Sequence, residues 1–96
     1  MQDILYFRSD DKCTRVVARN RIAGRNEEAV IRASLKELLE TLDPDSFWQI
    51  HRSVIVQVRA IEHLRRTELG TMEVCLEGAE ERLPVSQAFQ HRFRGM

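Results

Sequence analysis

Short apolar segments run along the whole chain and are separated by polar turns. They predict about eight short β-strands, at residues 4–8, 13–19, 28–32, 47–50, 53–58, 61–66, 71–76 and 81–84. The links between these segments are too short for the crossovers that parallel strands need. The pattern therefore favours antiparallel sheets over a βαβ arrangement.

The segment 53–58 is predicted to be a central strand. Val54, Val56 and Val58 alternate onto one face, and Ile55 makes the opposite face apolar as well. A strand that is apolar on both faces is typical of a position inside a covered sheet.

Two short helices are also expected. Ser34 and Glu37 have the spacing of a capping box, in which the Ser hydroxyl accepts a hydrogen bond from the Glu amide. The leucines at 35, 38, 39 and 42 then form one apolar stripe, and Pro44 ends this helix. Helical spacing predicts a final short helix from Val85, Ala88, Phe89 and Phe93. Residues 20–26, with Gly24 and several arginines, are expected to form a loop.

The length of 96 residues predicts a single domain, residues 1–96, around one core. No apolar run approaches the ~20 residues that cross a bilayer, and the first residues lack a secretion signal. A cytoplasmic location without membrane association is the expectation. Two cysteines, Cys13 and Cys75, are too few for a disulfide framework, and we expect reduced thiols.

The formal net charge is zero, which by itself argues against a nucleic-acid partner. The charge is unevenly distributed, however. Residues 1–26, 51–66 and 82–96 each have a net charge of +3, whereas residues 27–50 and 67–81 have −4 and −5. If folding gathers the basic blocks, one face is positive despite the neutral total. Thirteen of the fifteen cations are Arg, which suits bidentate contacts to phosphate or guanine, although a GC-rich genome gives the same bias.

The triplet His51-Arg52-Ser53 directly precedes the predicted central strand. A rigid strand fixes the backbone, so these polar side chains suit phosphate or base contacts. Two plainer interpretations stay open: His51 as an edge-strand histidine bonded to a carbonyl, and Arg52 as a solvated surface arginine. Lys12 is similarly either a turn cation or a DNA contact, and Gln87 either an exposed residue or an adenine reader.

An enzyme is not expected. His51, Ser53 and Asp45 resemble a hydrolytic triad in composition, but no nucleophile elbow or Gly-rich oxyanion loop accompanies them. Only four glycines occur, and none forms a phosphate-binding loop. The three histidines are far apart in sequence, which disfavours zinc. The sequence therefore predicts no cofactor, no metal and no small-molecule substrate.

Four segments together resemble the LytTR family of bacterial DNA-binding domains. They are DILYF at residues 3–7, SLKEL at 34–38, FWQIHRSVIV at 47–56 and LPVS at 83–86. Their order and spacing agree across nearly the whole chain. The resemblance implies a mainly β, elongated fold of antiparallel sheets with one or two short helices. It also implies the output domain of a response regulator in a two-component system. Family members are usually fused to a receiver or membrane module, and two interpretations stay open: a piece of such a protein, or a stand-alone domain.

The resemblance implies that double-stranded DNA is bound through loops that enter successive major grooves, with two copies on repeated half-sites as a possible homodimer. The positions that correspond to the family's DNA contacts are Lys12, Cys13, His51, Arg52, Ser86 and Gln87.

Three positions depart from the family pattern. Gln87 stands where Arg is usual, Gln57 where Asn is usual, and Cys13 where an aromatic is common. The first departure and the zero net charge motivate an alternative hypothesis: a protein-interaction module of the same fold that no longer binds DNA.

Overall fold

The computed structural model describes residues 3–10, 13–20, 22–79 and 81–93. Its strands are β1 Asp3–Asp10, β2 Cys13–Asn20, β3 Arg25–Ile31, β4 Phe47–His51, β5 Val54–Gln57, β6 Ile61–Arg66, β7 Met72–Leu76 and β8 Arg82–Val85. The helix α1 covers Leu35–Thr41, and two 3₁₀ helices cover Val58–Ala60 and Gln87–Phe93. The predicted mainly β fold is thereby confirmed.

The strands form two sheets in which every neighbouring pair is antiparallel. The large sheet has the order β3-β2-β1-β5-β4, and the small sheet has the order β6-β7-β8. The short β5 lies between β1 and β4, which confirms the prediction of a central strand.

Both faces of the large sheet are covered at β5, which explains why its first three residues are apolar. Val54 and Val56 belong to a core between the two sheets, where they join residues such as Val74 and Leu83. Ile55 points to the other face and packs with two residues of a second core under α1, Phe7 and Leu35. Val54, Ile55 and Val56 each have 0% of their surface exposed.

The helix α1 begins as its sequence predicts. The Ser34 Oγ accepts a hydrogen bond of 3.1 Å from the Glu37 amide, which satisfies one of the amides that a helix start leaves open. Leu38 and Leu42 pack against the second core, whereas Leu39 is 38% exposed and lies at the margin of the stripe. No helix in the described ranges is long and apolar enough to span a membrane.

The predicted loop over residues 20–26 is too long, because Arg25 and Asn26 already belong to β3. A shorter connection is sufficient because the Asn20 side chain stabilises the turn. Its Oδ1 accepts hydrogen bonds from the backbone amides of Ile22 and Ala23, at 3.1 and 3.0 Å. Gly24, with a φ of 70°, then returns the chain at a backbone angle that costs glycine little. Local side-chain bonds of this kind are characteristic of Asn in turns.

Two further boundaries differ from the sequence-based expectation. Val58 was expected in the central strand but lies in the first 3₁₀ helix. The final helix is a 3₁₀ helix over Gln87–Phe93 rather than an α-helix. Phe93 is only 5% exposed and Phe89 packs against the core, so the spacing predicted the burial of these two residues, whereas Ala88 is exposed.

A polar cluster fastens the start of β8 to the large sheet. The carboxylate of Glu81 accepts hydrogen bonds from the Tyr6 hydroxyl and from Arg8 Nη1, the latter at 2.8 Å. Arg15 lies 3.9 Å from the same carboxylate. Tyr6 is only 1% exposed, so its hydroxyl depends on this contact to replace its hydration.

The turn between β7 and β8 is held against the same sheet through its backbone. The guanidinium of Arg19 donates to the backbone carbonyl of Glu77, and the side-chain amide of Asn26 donates to the backbone carbonyl of Gly78 at 3.3 Å. These contacts fix how the small sheet lies on the large one. The molecule measures 34 × 29 × 25 Å, so its elongation is modest.

Candidate nucleic-acid interface

Five strand ends meet at one end of the large sheet. The registers Thr14↔Ile31, Asp10↔Cys13 and His51↔Val54 bring together the ends of β3, β1 and β4 and the starts of β2 and β5. With strands spaced by about 4.8 Å, this row is about 19 Å wide. The connections that leave these ends are the three segments around Cys13, Arg52 and Arg32.

The turn between β4 and β5 is fixed beside the end of β1. The backbone amide of Ser9 donates to the carbonyl of Ser53 at 2.8 Å. The pairing of β4 with β5 also shifts register between Gln49 and His51, and a bulge of this kind bends a strand locally. Arg52 therefore lies next to the end of β1.

The end of β8 is fixed beside the end of β4. The Ser86 amide donates to the carbonyl of Ile50 at 2.9 Å. Trp48 packs edge-on against Phe93, with ring centroids 5.7 Å apart, and so holds the last 3₁₀ helix in place. Gln87, the first residue of that helix, is exposed. This brings Ser86 and Gln87 next to His51.

We call this end of the molecule the loop edge. Of the described residues, it comprises Cys13, Arg32, His51, Arg52, Ser86 and Gln87. Five of these six are candidates from the sequence, and the structure brings all five together. Lys12, the remaining candidate, lies outside the described residues. An exposed carboxylate, that of Asp10, is at the same edge.

His51 is half-buried and is oriented by Ser53. The ring Nδ1 lies 2.8 Å from Ser53 Oγ and 3.2 Å from the Ser53 amide nitrogen. A backbone N–H only donates, so Nδ1 is the acceptor and the proton of the neutral ring is on Nε2. The partners of the ring are thus a hydroxyl and an amide rather than the carbonyl of the plainer interpretation, and the Nε2 donor has no partner among the described residues.

A groove of about 400 Å³ lies beside the turn that carries Arg52. It is lined by Ser9, Cys13, Thr14, Arg32, Ala33, Ser34, Leu35 and Arg52. Arg52 is exposed, and it has no hydrogen bond or ion pair with any residue in the described ranges. Among the described residues, none competes with an external anion for its guanidinium.

Arg32 is a residue of this groove that sequence reasoning missed. The pattern predicts it only as the last residue of the strand 28–32, whereas β3 ends at Ile31 and Arg32 lies between this strand and the cap of α1. The register Thr14↔Ile31 is what carries the end of β3 to the start of β2. That pairing joins residues 17 positions apart, so only the expectation of a β2–β3 hairpin could have indicated it.

The cations of the first basic block do not gather at the loop edge within the described part of the chain. Arg8 and Arg15 are engaged by Glu81 and Glu28, and Arg25 begins β3 at the opposite end of the sheet. Unpaired positive charge at the loop edge is local, and among the described residues it comes from Arg32 and Arg52.

The chain is similar to known proteins in both sequence and fold. The family model of the LytTr DNA-binding domain matches residues 1–96. The chain belongs to the LytTR family. A solved LytTr DNA-binding domain, from a Bacillus cereus protein described as a methyl-accepting/DNA response regulator, superposes with a TM-score of 0.80. It is 32% identical in sequence, and the match covers 96% of this chain and 78% of that one.

Two curated relatives are longer proteins. An uncharacterized response regulatory protein of Vibrio cholerae is 40% identical over 95 residues, which cover 98% of this LytTR chain and 34% of the relative. The CO-responsive transcriptional regulator RcoM of Rhodospirillum rubrum is 38% identical over 63 residues, or 66% of this chain and 27% of the relative. The LytTR chain therefore spans about a third or less of the length of these relatives.

Among the described residues of this LytTR domain, no group of three or more His, Cys, Asp or Glu side chains is placed to hold a metal ion. The two cysteines are free thiols on different sheets, Cys13 in β2 and Cys75 in β7. The loop edge offers hydrogen-bond donors, amides and guanidinium groups, which are the groups used to contact nucleic acid.

Proposed function

We propose that the loop edge binds double-stranded DNA in a sequence-specific way, and that the chain is the output domain of a bacterial transcription regulator without catalytic activity. Membership of a family of DNA-binding domains supports the partner. The observation that carries the proposal is that five candidate residues lie together at the loop edge: Cys13, His51, Arg52, Ser86 and Gln87. A regulator of this kind works in the cytoplasm.

Each side chain has a chemical role in this proposal. Arg52 forms a bidentate contact with guanine or with a phosphate. The Gln87 amide pairs with the N6 and N7 positions of adenine. His51 donates from Nε2 to an acceptor on the DNA, while the Ser86 hydroxyl and Cys13, together with Lys12, line the contact. Each good base contact gives about 1–3 kcal/mol of discrimination.

The width of the loop edge supports binding by two copies. A row about 19 Å wide spans about six base-pair steps of 3.4 Å. One domain thus reads a short half-site, and two copies on repeated half-sites extend the sequence that is read. The stoichiometry of the complex on duplexes with one or two half-sites measures this directly.

The proposal is tested by selecting ligands from random duplexes and titrating the chain against a selected duplex at several salt concentrations. Neutralisation of Z phosphates gives a slope of about −0.9Z for log K against log salt. We expect Arg52→Ala to weaken binding without unfolding the domain. Failure to enrich any sequence, or binding that does not respond to salt, contradicts the proposal.

A protein-interaction module is the second candidate, and one observation favours it. β3 is an edge strand of the large sheet, and Val30 on it is 64% exposed. Such an edge suits pairing with a strand from another protein. If this candidate is correct, a pull-down with the chain recovers a protein partner and no nucleic acid, and the selection enriches nothing.

A further inference from the structure

Arg32 lies at the outer end of the loop edge, directly after the last residue of β3. It is exposed and lines the same groove as Cys13 and Arg52. No residue in the described ranges gives it a hydrogen bond or an ion pair. Two arginines thus line one groove, and none of its described lining residues is Asp or Glu.

The backbone on either side of Arg32 is fixed. The Thr14 hydroxyl donates to the carbonyl of Ala33 at 2.7 Å, and Thr14 is 2% exposed. One residue further on, Ser34 caps α1, and Leu35 is buried in the core under that helix. The side chain therefore projects from a held backbone, which lowers the conformational entropy lost when it binds a ligand.

The width of the loop edge determines which part of a duplex Arg32 meets. A major groove is about 12 Å wide, whereas the row of strand ends is about 19 Å wide. All five ends cannot enter one groove side by side. If Arg52 and Gln87 enter the groove at the β4 side of the row, as proposed, the end on the other side lies over the sugar-phosphate backbone. β3 is the outermost strand on its side of the sheet.

We infer that Arg32 contacts a DNA phosphate, so that the interface extends from the start of β2 and the β4–β5 turn to the connection between β3 and α1. This inference rests on the proposed DNA binding. Both arginines line the groove, and a phosphate that enters it can accept charge-assisted hydrogen bonds from a guanidinium. A phosphate contact strengthens binding to every sequence and adds no discrimination.

The test compares the wild-type chain with Arg32→Ala, Arg32→Lys and Arg25→Ala. Arg25 is a matched control, because it is also exposed on β3 but lies about 23 Å from Arg32 at the spacing of an extended strand. Binding is titrated at several salt concentrations on a duplex from the selection and on a scrambled duplex of equal length. Circular dichroism verifies that each variant is folded.

We expect Arg32→Ala to weaken binding to both duplexes by the same factor and to make the salt slope shallower by about 0.9. Arg32→Lys retains the slope because it keeps the charge, and Arg25→Ala behaves as the wild type. If Arg32→Ala keeps the salt slope of the wild type, the inference about Arg32 is overturned while the proposed DNA binding stands. The same holds if Arg32→Ala loses affinity only for the selected duplex, because that result indicates a base contact. Absence of DNA binding by the wild type overturns the proposed function as well.

Discussion

At the scale of single residues, the loop edge depends on short-range hydrogen bonds. Ser53 orients the His51 ring through both its hydroxyl and its amide, and its carbonyl accepts from Ser9 on the neighbouring strand. One small residue thus ties the triplet to β1. Sequence reasoning identified the triplet from its position before an apolar strand, but the orientation of His51 depends on a turn geometry that residue types do not specify.

Substitution of Ser53 by Ala tests this orientation. The hydroxyl contact to Nδ1 is lost while the amide contact remains, so we expect a destabilisation of about 1 kcal/mol and a clear loss of DNA affinity. Urea unfolding and DNA titration measure the two effects. Ser46→Ala is the control, because it removes a hydroxyl bond to Asp43 in an exposed loop. Equal DNA affinity for both variants would remove Ser53 from the orientation of the site.

Gln87 is the position at which this chain departs from the usual Arg of its family's closing motif. An amide matches adenine and a guanidinium matches guanine, so Gln87→Arg is expected to shift the selected sequence from adenine to guanine at one position of each half-site. The exposed location at the start of a 3₁₀ helix makes the substitution tolerable for folding. Selection from random duplexes with both proteins measures the shift. An identical selected sequence would exclude Gln87 from base reading.

At the scale of elements, the local patterns predicted most of the structure. The cap at Ser34, the central strand and the antiparallel links all depend on spacing within a few residues, and these predictions are confirmed. The errors fall where local signals are ambiguous. Apolar positions three and four residues apart fit both an α-helix and a 3₁₀ helix, and the Asn20 side-chain bonds that shorten the β2–β3 turn have no hydrophobic pattern of their own.

The Glu81 cluster positions a whole strand, because it fixes β8 on the large sheet. Ser86 follows β8 directly and thereby reaches the loop edge. Glu81→Gln removes the charge that engages Arg8 and Arg15. Hydrogen bonds to charged groups contribute about 1.5–3 kcal/mol, but the Glu81 side chain is 35% exposed. Solvent screening reduces the expected loss of unfolding free energy to about 1 kcal/mol.

The matched control for this substitution is Glu28→Gln. Glu28 pairs with Arg15 at 3.4 Å and is 55% exposed, so its removal is expected to change stability by less than about 0.5 kcal/mol. Urea unfolding of the two variants measures the difference. If both lose the same small amount, Glu81 does not hold the sheets together, and the burial of Tyr6 and its neighbours is sufficient.

At the scale of the whole molecule, the site results from sheet order. Cys13, Arg52 and Gln87 are each at least 35 positions apart in sequence, and they meet because β1 pairs with β2 on one side and β5 on the other. No periodicity within a segment predicts which distant strands pair. The resemblance to a known family supplied that information, while Arg32, which belongs to none of the matched motifs, was missed.

The same sheet order joins the two cores into one cooperative unit. β5 contributes Val54 and Val56 to the core between the sheets and Ile55 to the core under α1. We expect Ile55→Ala to cost about 2–5 kcal/mol and to lower the urea midpoint equally by far-UV circular dichroism and by tryptophan fluorescence. The single tryptophan, Trp48, packs against the other core, so it reports this change only if both cores unfold together.

Val74→Ala is the control for that experiment, because Val74 lies in the core that Trp48 contacts. It removes a smaller side chain, and we expect it to shift both signals by a smaller but equal amount. If Ile55→Ala lowers the circular dichroism midpoint and leaves the fluorescence midpoint unchanged, the core under α1 unfolds separately. The start of α1 would then be free to detach from β2, and the connection that carries Arg32 would lose its fixed position at the loop edge.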